Sequence, residues 1–280
     1  MRRLATDPAA RGLNDDAAVI DFAGETLVIT HDTIAEGVHF LPGQDPADVA
    51  WKLVAVNLSD LAAKGAEPIG VLLGYMLGGD DEPFLSGLAE VLTHYNVPLL
   101  GGDTIAGSGP QVLGLTALGR ATHRPVPSRA GAKAGDQLYV TGPLGAAMLG
   151  LEALRAGSGD SLAYRRPQAL LEQGCALAPH VTAMMDDSVV LLLVAARMAK
   201  ASGATLALDR LAVPIATLEA RRDDALRWGD DYQLLFTLPD GTEPPCPAYR
   251  IGQVEPASGH LLVLNGQPLS PDDPLGYQHR

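Results

Sequence analysis

The chain has 280 residues, 47% of them hydrophobic, and a formal net charge of −13 at pH 7. That length and apolar content can bury one large core or two moderate ones, and the acidic balance argues against a general nucleic-acid binder, which needs a basic face. Cys175 and Cys246 fit neither a zinc spacing nor a disulfide framework, no apolar run reaches the roughly 18 residues of a spanning helix, and no apolar h-region follows Arg2-Arg3; the expectation is a soluble cytoplasmic protein without membrane or nucleic-acid partners.

Residues 17–20 and 26–30 are short apolar segments around Asp21-Phe22-Ala23-Gly24-Glu25, which predicts a hairpin. Asp45 is a helix N-cap candidate with Pro46 at the first helical position, and Val49, Leu53, Val56 and Leu61 recur at helical spacing up to Gly65. Residues 69–77 predict a buried strand, 83–95 an amphipathic helix, and 111–118 another strand. Such a succession implies an α/β architecture. The Pro- and Gly-containing stretch 119–135 is a natural boundary, dividing the chain into 1–124 and 125–280. Beyond it, 137–141, 204–208, 233–238 and 261–264 read as strands, and 146–156, 167–177 and 188–202 as helices.

Four acidic clusters lie in the first half, expected at the ends of apolar segments: Asn14-Asp15-Asp16, Thr30-His31-Asp32-Thr33, Asn57-Leu58-Ser59-Asp60 and Gly101-Gly102-Asp103-Thr104. Short carboxylates beside hydroxyls and glycines suit hard cations held against an anionic phosphate. A lone Asp in such a place is as readily a turn residue or helix cap; four clusters together make that uniform explanation less comfortable. Gly102 allows backbone N–H groups to approach a phosphate, although Gly-Gly-Asp alone is a common turn. Neither the P-loop nor the dinucleotide glycine signature occurs. His39, after Glu36-Gly37-Val38, can serve a phosphate or a turn, and Arg129 a nucleotide phosphate or solvent. Asp230-Asp231-Tyr232 can grip a cationic ring or pack a hairpin corner.

In their order, these clusters resemble thiamine-monophosphate kinase, with Gly37-Val38-His39-Phe40, Leu61-Ala62-Ala63-Lys64-Gly65-Ala66, Arg129 to Asp136, Tyr139-Val140-Thr141-Gly142 and Gly229 to Leu234 continuing the match. The wider group includes aminoimidazole ribonucleotide and selenophosphate synthetases. The resemblance implies a two-domain α/β fold: an N-terminal mixed sheet with helices that dimerises through its strands, then a C-terminal α/β sandwich. It implies ATP-dependent phosphorylation of thiamine monophosphate to the diphosphate, by direct in-line transfer without a covalent enzyme intermediate, in a homodimer. It implies several magnesium ions on Asp16, Thr30, Asp32, Asp60, Asp103 and Asp186. ATP contacts fall to Gly102, Asp103, Arg129 and Ser188, and substrate contacts to His39, Asp230 and Tyr277.

The chain departs from the pattern in its second half. The Asp-x-Ser-Asp-Gly-Leu element reads Asp186-Asp187-Ser188-Val189-Val190-Leu191, and a further acid reads Val194. Valine cannot ligate magnesium, and Val190 replaces a glycine where a tight turn is expected. Pro167-Gln168-Ala169-Leu170 lacks the arginine of a Pro-x-Pro-Arg element, His31 replaces a small residue, Asn14 replaces a glycine, and the usual N-terminal helix is missing. Three readings follow: a kinase, active or weakened; a catalytically degenerate module that binds nucleotide or thiamine phosphate; and an enzyme of the synthetase branch with another acceptor. His39 with Asp230-Asp231-Tyr232 favours the thiamine branch over the last.

Overall fold

The chain is seen in a computed structural model that describes residues 3–78 and 81–270. After a 3-10 turn over Pro8–Leu13, strands β1 (Ala18–Phe22) and β2 (Glu25–Ala35) form the expected hairpin. Its two-residue loop is Ala23-Gly24, both at positive φ, as a twisted antiparallel pair favours. β2 runs past the expected end, so the Thr30-to-Thr33 cluster sits inside a strand. Helix α1 (Pro46–Ala63) starts where Asp45 accepts a hydrogen bond from the Ala47 amide at 3.0 Å. Every residue from Asp48 to Ala63 is buried, because α1 is enclosed by both halves of the chain.

β3 (Ala66–Met76), α2 (Glu82–His94), β4 (Leu99–Ile105) and β5 (Val112–Ala121) complete a five-stranded sheet of order β1-β2-β5-β3-β4. The β3–β4 pair is parallel and the rest antiparallel. Gly101-Gly102-Asp103-Thr104 is therefore an edge strand and not a turn. A Cβ at Gly102 would collide with the Leu73 carbonyl, so the close approach of β4 to β3 needs that glycine.

The second half supplies β6 (Gln137–Val140), α3 (Ala146–Ala156), α4 (Leu162–Arg165), α5 (Leu171–Leu177), β7 (Ala183–Asp186), α6 (Leu191–Ser202), β8 (Thr205–Leu208), α7 (Arg222–Leu226), β9 (Leu234–Leu238), β10 (Tyr249–Glu255), β11 (Leu262–Leu264) and β12 (Gln267–Pro268). Among the described residues these form a seven-stranded mixed sheet of order β12-β11-β8-β10-β6-β9-β7. The chain is thus of the expected α/β class with two mixed sheets. Strands β7 and β10 were not expected from the sequence, the helix expected over 167–177 begins at Leu171, and the one expected over 188–202 begins at Leu191.

Helix α1 joins the halves. Trp51 Nε1 donates to the Pro167 carbonyl at 2.9 Å, and buried Asp48 pairs with Arg165 and with Arg166, the latter at 2.5 Å. Ala62 and Ala63 pack with Leu177, Met184 and Phe236. Among the described residues no helix is long and apolar enough to cross a membrane, and both cysteines are free thiols.

Candidate functional site: an acid group between the two halves

Asp16 precedes β1, Asp60 lies on α1 and Asp186 ends β7, yet one carboxylate oxygen of each lies within 4.8 Å of the others. Thr30 on β2 donates its hydroxyl to Asp60, and Ser59 donates to Asp186 at 2.7 Å. Asp32 stands alongside, its backbone amide held by Asn57 Oδ1 at 2.8 Å. Two acids of the first half and one of the second therefore converge, with serine and threonine hydroxyls fixing their orientation.

Crowding shows in the titration of these groups. Burial pushes Asp60 well above the usual carboxylate range, and the charges of Asp186, Asp32 and Asp16 push it further against the Thr30 hydrogen bond. Asp186 rises to about 7 through burial and then the Asp16 charge, which outweigh the Ser59 hydrogen bond. Asp32 rises through burial and Asp16. Buried carboxylates that repel one another in this way are relieved by a cation, and hard oxygen donors of this kind suit magnesium. The donor set fits that ion.

Cationic side chains back the acids. Lys64, fully buried, lies 2.8 Å from Asp16 and also pairs with Asp15, which Arg11 holds at 2.6 Å. Burial would raise Asp15, but the Lys64 ammonium overrides it and holds the carboxyl at about 2. Arg129 donates through Nε to Asp16 at 3.0 Å and through Nη2 as well, so this guanidinium braces an acid in the present structure.

A second constellation sits two turns up α1, about 12 Å from Asp60 by helical rise. Buried Lys52 donates to Asp230 at 2.8 Å and to the His39 carbonyl at 3.0 Å, and lies 3.9 Å over the Tyr164 ring. Tyr164 donates to the same carbonyl at 3.1 Å, and the Tyr232 hydroxyl to Asp230 at 3.1 Å. His39 and Asp230, named from sequence on opposite sides of the chain, are thus brought together by Lys52.

Other expected residues lie elsewhere. Register aligns Asp103 with Gly74, Gly114 and Thr33 across the sheet, on the outward face, whereas Asp32 is on the face that carries α1. Asp103 is exposed and accepts from the Thr104 amide at 2.9 Å, so within one chain neither it nor Gly102 joins the acid group. Ser188 accepts at its carbonyl from the Asp230 amide at 3.3 Å. Tyr277 lies outside the described residues.

Val194 is buried in the second core, Val189 packs against it, and Val190 is fully buried beside them in sequence. Val190 has φ −163°, extended backbone that any residue adopts, so the tight turn expected there is absent and the valine causes no strain. A Cβ on Gly229 would strike the Val189 carbonyl, which places the altered element against the loop carrying Asp230. Asp187 is fully buried and both its carboxyl oxygens lack a hydrogen-bond partner among the described residues; burial, then Asp231, drives it well above the carboxylate range.

Lys52, Lys64, Tyr164 and Asp187 had no role from the sequence. A lysine within Leu61-Ala62-Ala63-Lys64-Gly65, at the end of an otherwise apolar helical run, is the signal that could have singled out Lys64.

The family model for "AIR synthase related protein, N-terminal domain" matches residues 14–121. The thiamine-monophosphate kinase of Escherichia coli (strain K12) is 37% identical over 276 residues, covering 90% of this chain and 81% of that protein. The same enzyme of Caulobacter vibrioides is 39% identical over 254 residues, covering 83% and 72%. Two solved structures share the fold. "AaThiL complexed with AMPPCP and TMP" gives a TM-score of 0.83 at 28% identity, over 97% of this chain and 96% of that one. Thiamine-monophosphate kinase from Stenotrophomonas maltophilia K279a gives 0.80 at 31%, over 96% and 94%. With identity above 30% along most of its length and the same two-sheet architecture, the chain belongs to the thiamine-monophosphate kinase family.

Proposed function

We propose that the protein transfers the γ-phosphoryl group of ATP to the phosphate of thiamine monophosphate, giving thiamine diphosphate and ADP. The observation that carries this reading is the convergence of Asp16, Asp60 and Asp186 from both halves. A phosphate oxygen of the acceptor forms the new P–O bond as the bond from the γ-phosphorus to the ADP oxygen breaks, so the protein's task is to align two anions. Magnesium held by Asp16, Asp60 and Asp186, with Asp32 and Thr30 beside them, would supply the charge that offsets their repulsion.

The remaining roles belong to side chains. Lys52 fixes Asp230 and the His39 backbone at the substrate end of α1, where Asp230 can face a cationic ring. Arg129 can exchange Asp16 for a nucleotide phosphate, and Ser188 keeps the nucleotide contact that the resemblance implies. We place the domain division at 124/125 and the protein in the cytoplasm.

We further infer a homodimer through the outward face of the first sheet, which exposes Leu72, Ile105 and Val112. Asp103 and Gly102 stand at the edge of that face, so they would serve nucleotide and metal across the junction of two copies.

A second reading, a binding module without turnover, is favoured by Val189 and Val194, each of which stands where the resemblance implies an acid. Calorimetric titration with ATP and thiamine monophosphate, run beside chromatography for thiamine diphosphate, separates the two. Binding of both ligands with product formation supports the kinase; binding without product supports the module.

A further inference from the structure

The Lys64 ammonium has three protons to donate, and three acceptors surround it: Asp15, Asp16 at 2.8 Å and the Met184 carbonyl at 3.4 Å. It is fully buried, at the foot of α1, where Asp16 also meets Asp60 and Asp186. Asp16 is thus shared: one oxygen faces Lys64, the other Arg129, and the carboxylate still borders the acid group. A carboxylate oxygen has two lone pairs, so these ion pairs leave Asp16 able to bind a metal as well.

Asp15, Asp16, Asp32, Asp60 and Asp186 face Lys64, Arg11 and Arg129, an excess of two negative charges when all are ionised. Arg197 on α6 is exposed as a residue, yet its guanidinium is partly desolvated and its charge reaches Asp16 and Asp186, which lowers the excess to between one and two. An excess of one to two charges leaves room for one divalent cation and not for several. Val189 and Val194, where the resemblance implies acids, add no carboxylate from the second half.

We propose that Lys64 is a built-in cation of the acid group: its ammonium occupies the place of one divalent ion, so that without nucleotide the site takes a single Mg2+ or Mn2+. Lys64 acts here as a positioning residue, holding Asp15 and Asp16 together without touching substrate. The proposal rests on the reading of the acid group as a magnesium site, and it revises the expectation of several ions at that group in the nucleotide-free protein.

The test counts Mn2+ bound to the full chain, without ATP, by electron paramagnetic resonance and calorimetry, in the wild type and in Lys64→Met. Expected are one ion in the wild type and, in the variant, either a second ion or an affinity on the order of tenfold tighter. The variant should also melt at markedly higher temperature with Mn2+ than in EDTA, more so than the wild type, since Mn2+ replaces the lost charge. Two or more ions in the wild type, or the same count and affinity in both proteins, overturn the proposal. A wild type that binds no Mn2+ sinks the magnesium-site reading itself. If the variant does not fold under either condition, the wild-type count decides.

Discussion

The Lys52 ammonium lies 2.8 Å from the Asp230 carboxylate, joining the buried helix of the first half to the loop before β9 in the second. Lys52 is 1% exposed and Asp230 25%, so the lysine is anchored and the acid is the partner open to a ligand. Lys52→Met should raise KM for thiamine monophosphate by about tenfold with a smaller change in kcat, because Asp230 and the His39 backbone lose their common support. The stability cost should be about 1–3 kcal/mol, since only one end of the pair is fully buried. Steady-state kinetics with an unchanged KM would remove Asp230 from the substrate end.

Asp60→Asn should separate stability from activity. The fold carries Asp60 among three other carboxylates, and burial with their charges pushes it toward the neutral form. An amide relieves that repulsion and can still accept from Thr30, so the metal-free variant should be more stable by about 1–2 kcal/mol. Turnover should fall on the order of 100-fold or more with the lost ligand. A denaturant midpoint in EDTA that falls instead of rising contradicts the crowding described here.

Metal-free protein should lose stability as the pH rises from acid to neutral. Asp186, pushed to about 7 by burial and Asp16, and Asp231, pushed to about 6 by burial against the amides of Ala147 and Gly145, hold protons in the fold that the unfolded chain has released. That contribution is complete below the unfolded carboxylate value of about 3.9 and is lost as the pH climbs through 6 to 7. Asp15, held at about 2 chiefly by Lys64 against burial, works in the other direction and lower: its stabilisation is present above the unfolded value and lost as the pH falls toward 2. Thermal melts in EDTA should therefore decline between about pH 4 and pH 7. A flat or rising profile contradicts the raised values.

Val189→Asp restores the expected acid where the altered element lies against the Asp230 loop. Metal affinity should rise several-fold, and metal-free stability should drop by about 1 kcal/mol through one more like charge. If neither Mn2+ affinity nor the EDTA melting temperature moves, position 189 lies outside the field of the acid group.

The first hairpin and α1 were legible because their local chemistry agrees with the fold: Asp45-Pro46 starts the helix, and Ala23-Gly24 makes the turn. β2 was read too short because Thr30 and Asp32 break its apolar run, yet both stay on the face toward α1, where the site needs oxygen atoms. β7 spans only Ala183–Asp186, and β10 buries little beyond Ile251 and Val254, so neither shows a period. The acids were legible as residue types at recurring positions. The resemblance groups them as one magnesium set, but which of them meet within one chain was not legible, since the opposite faces of Asp32 and Asp103 follow from strand register alone. Lys52 and Lys64 look like solvated lysines until the second half closes over α1 and buries them.

Phosphorus NMR of the protein with magnesium, ATP and thiamine monophosphate tests the proposed transfer most directly. The thiamine monophosphate resonance should be replaced by the two coupled resonances of thiamine diphosphate while ADP appears in equal amount. ADP with inorganic phosphate in place of thiamine diphosphate, or no change where the Escherichia coli relative turns over, contradicts it.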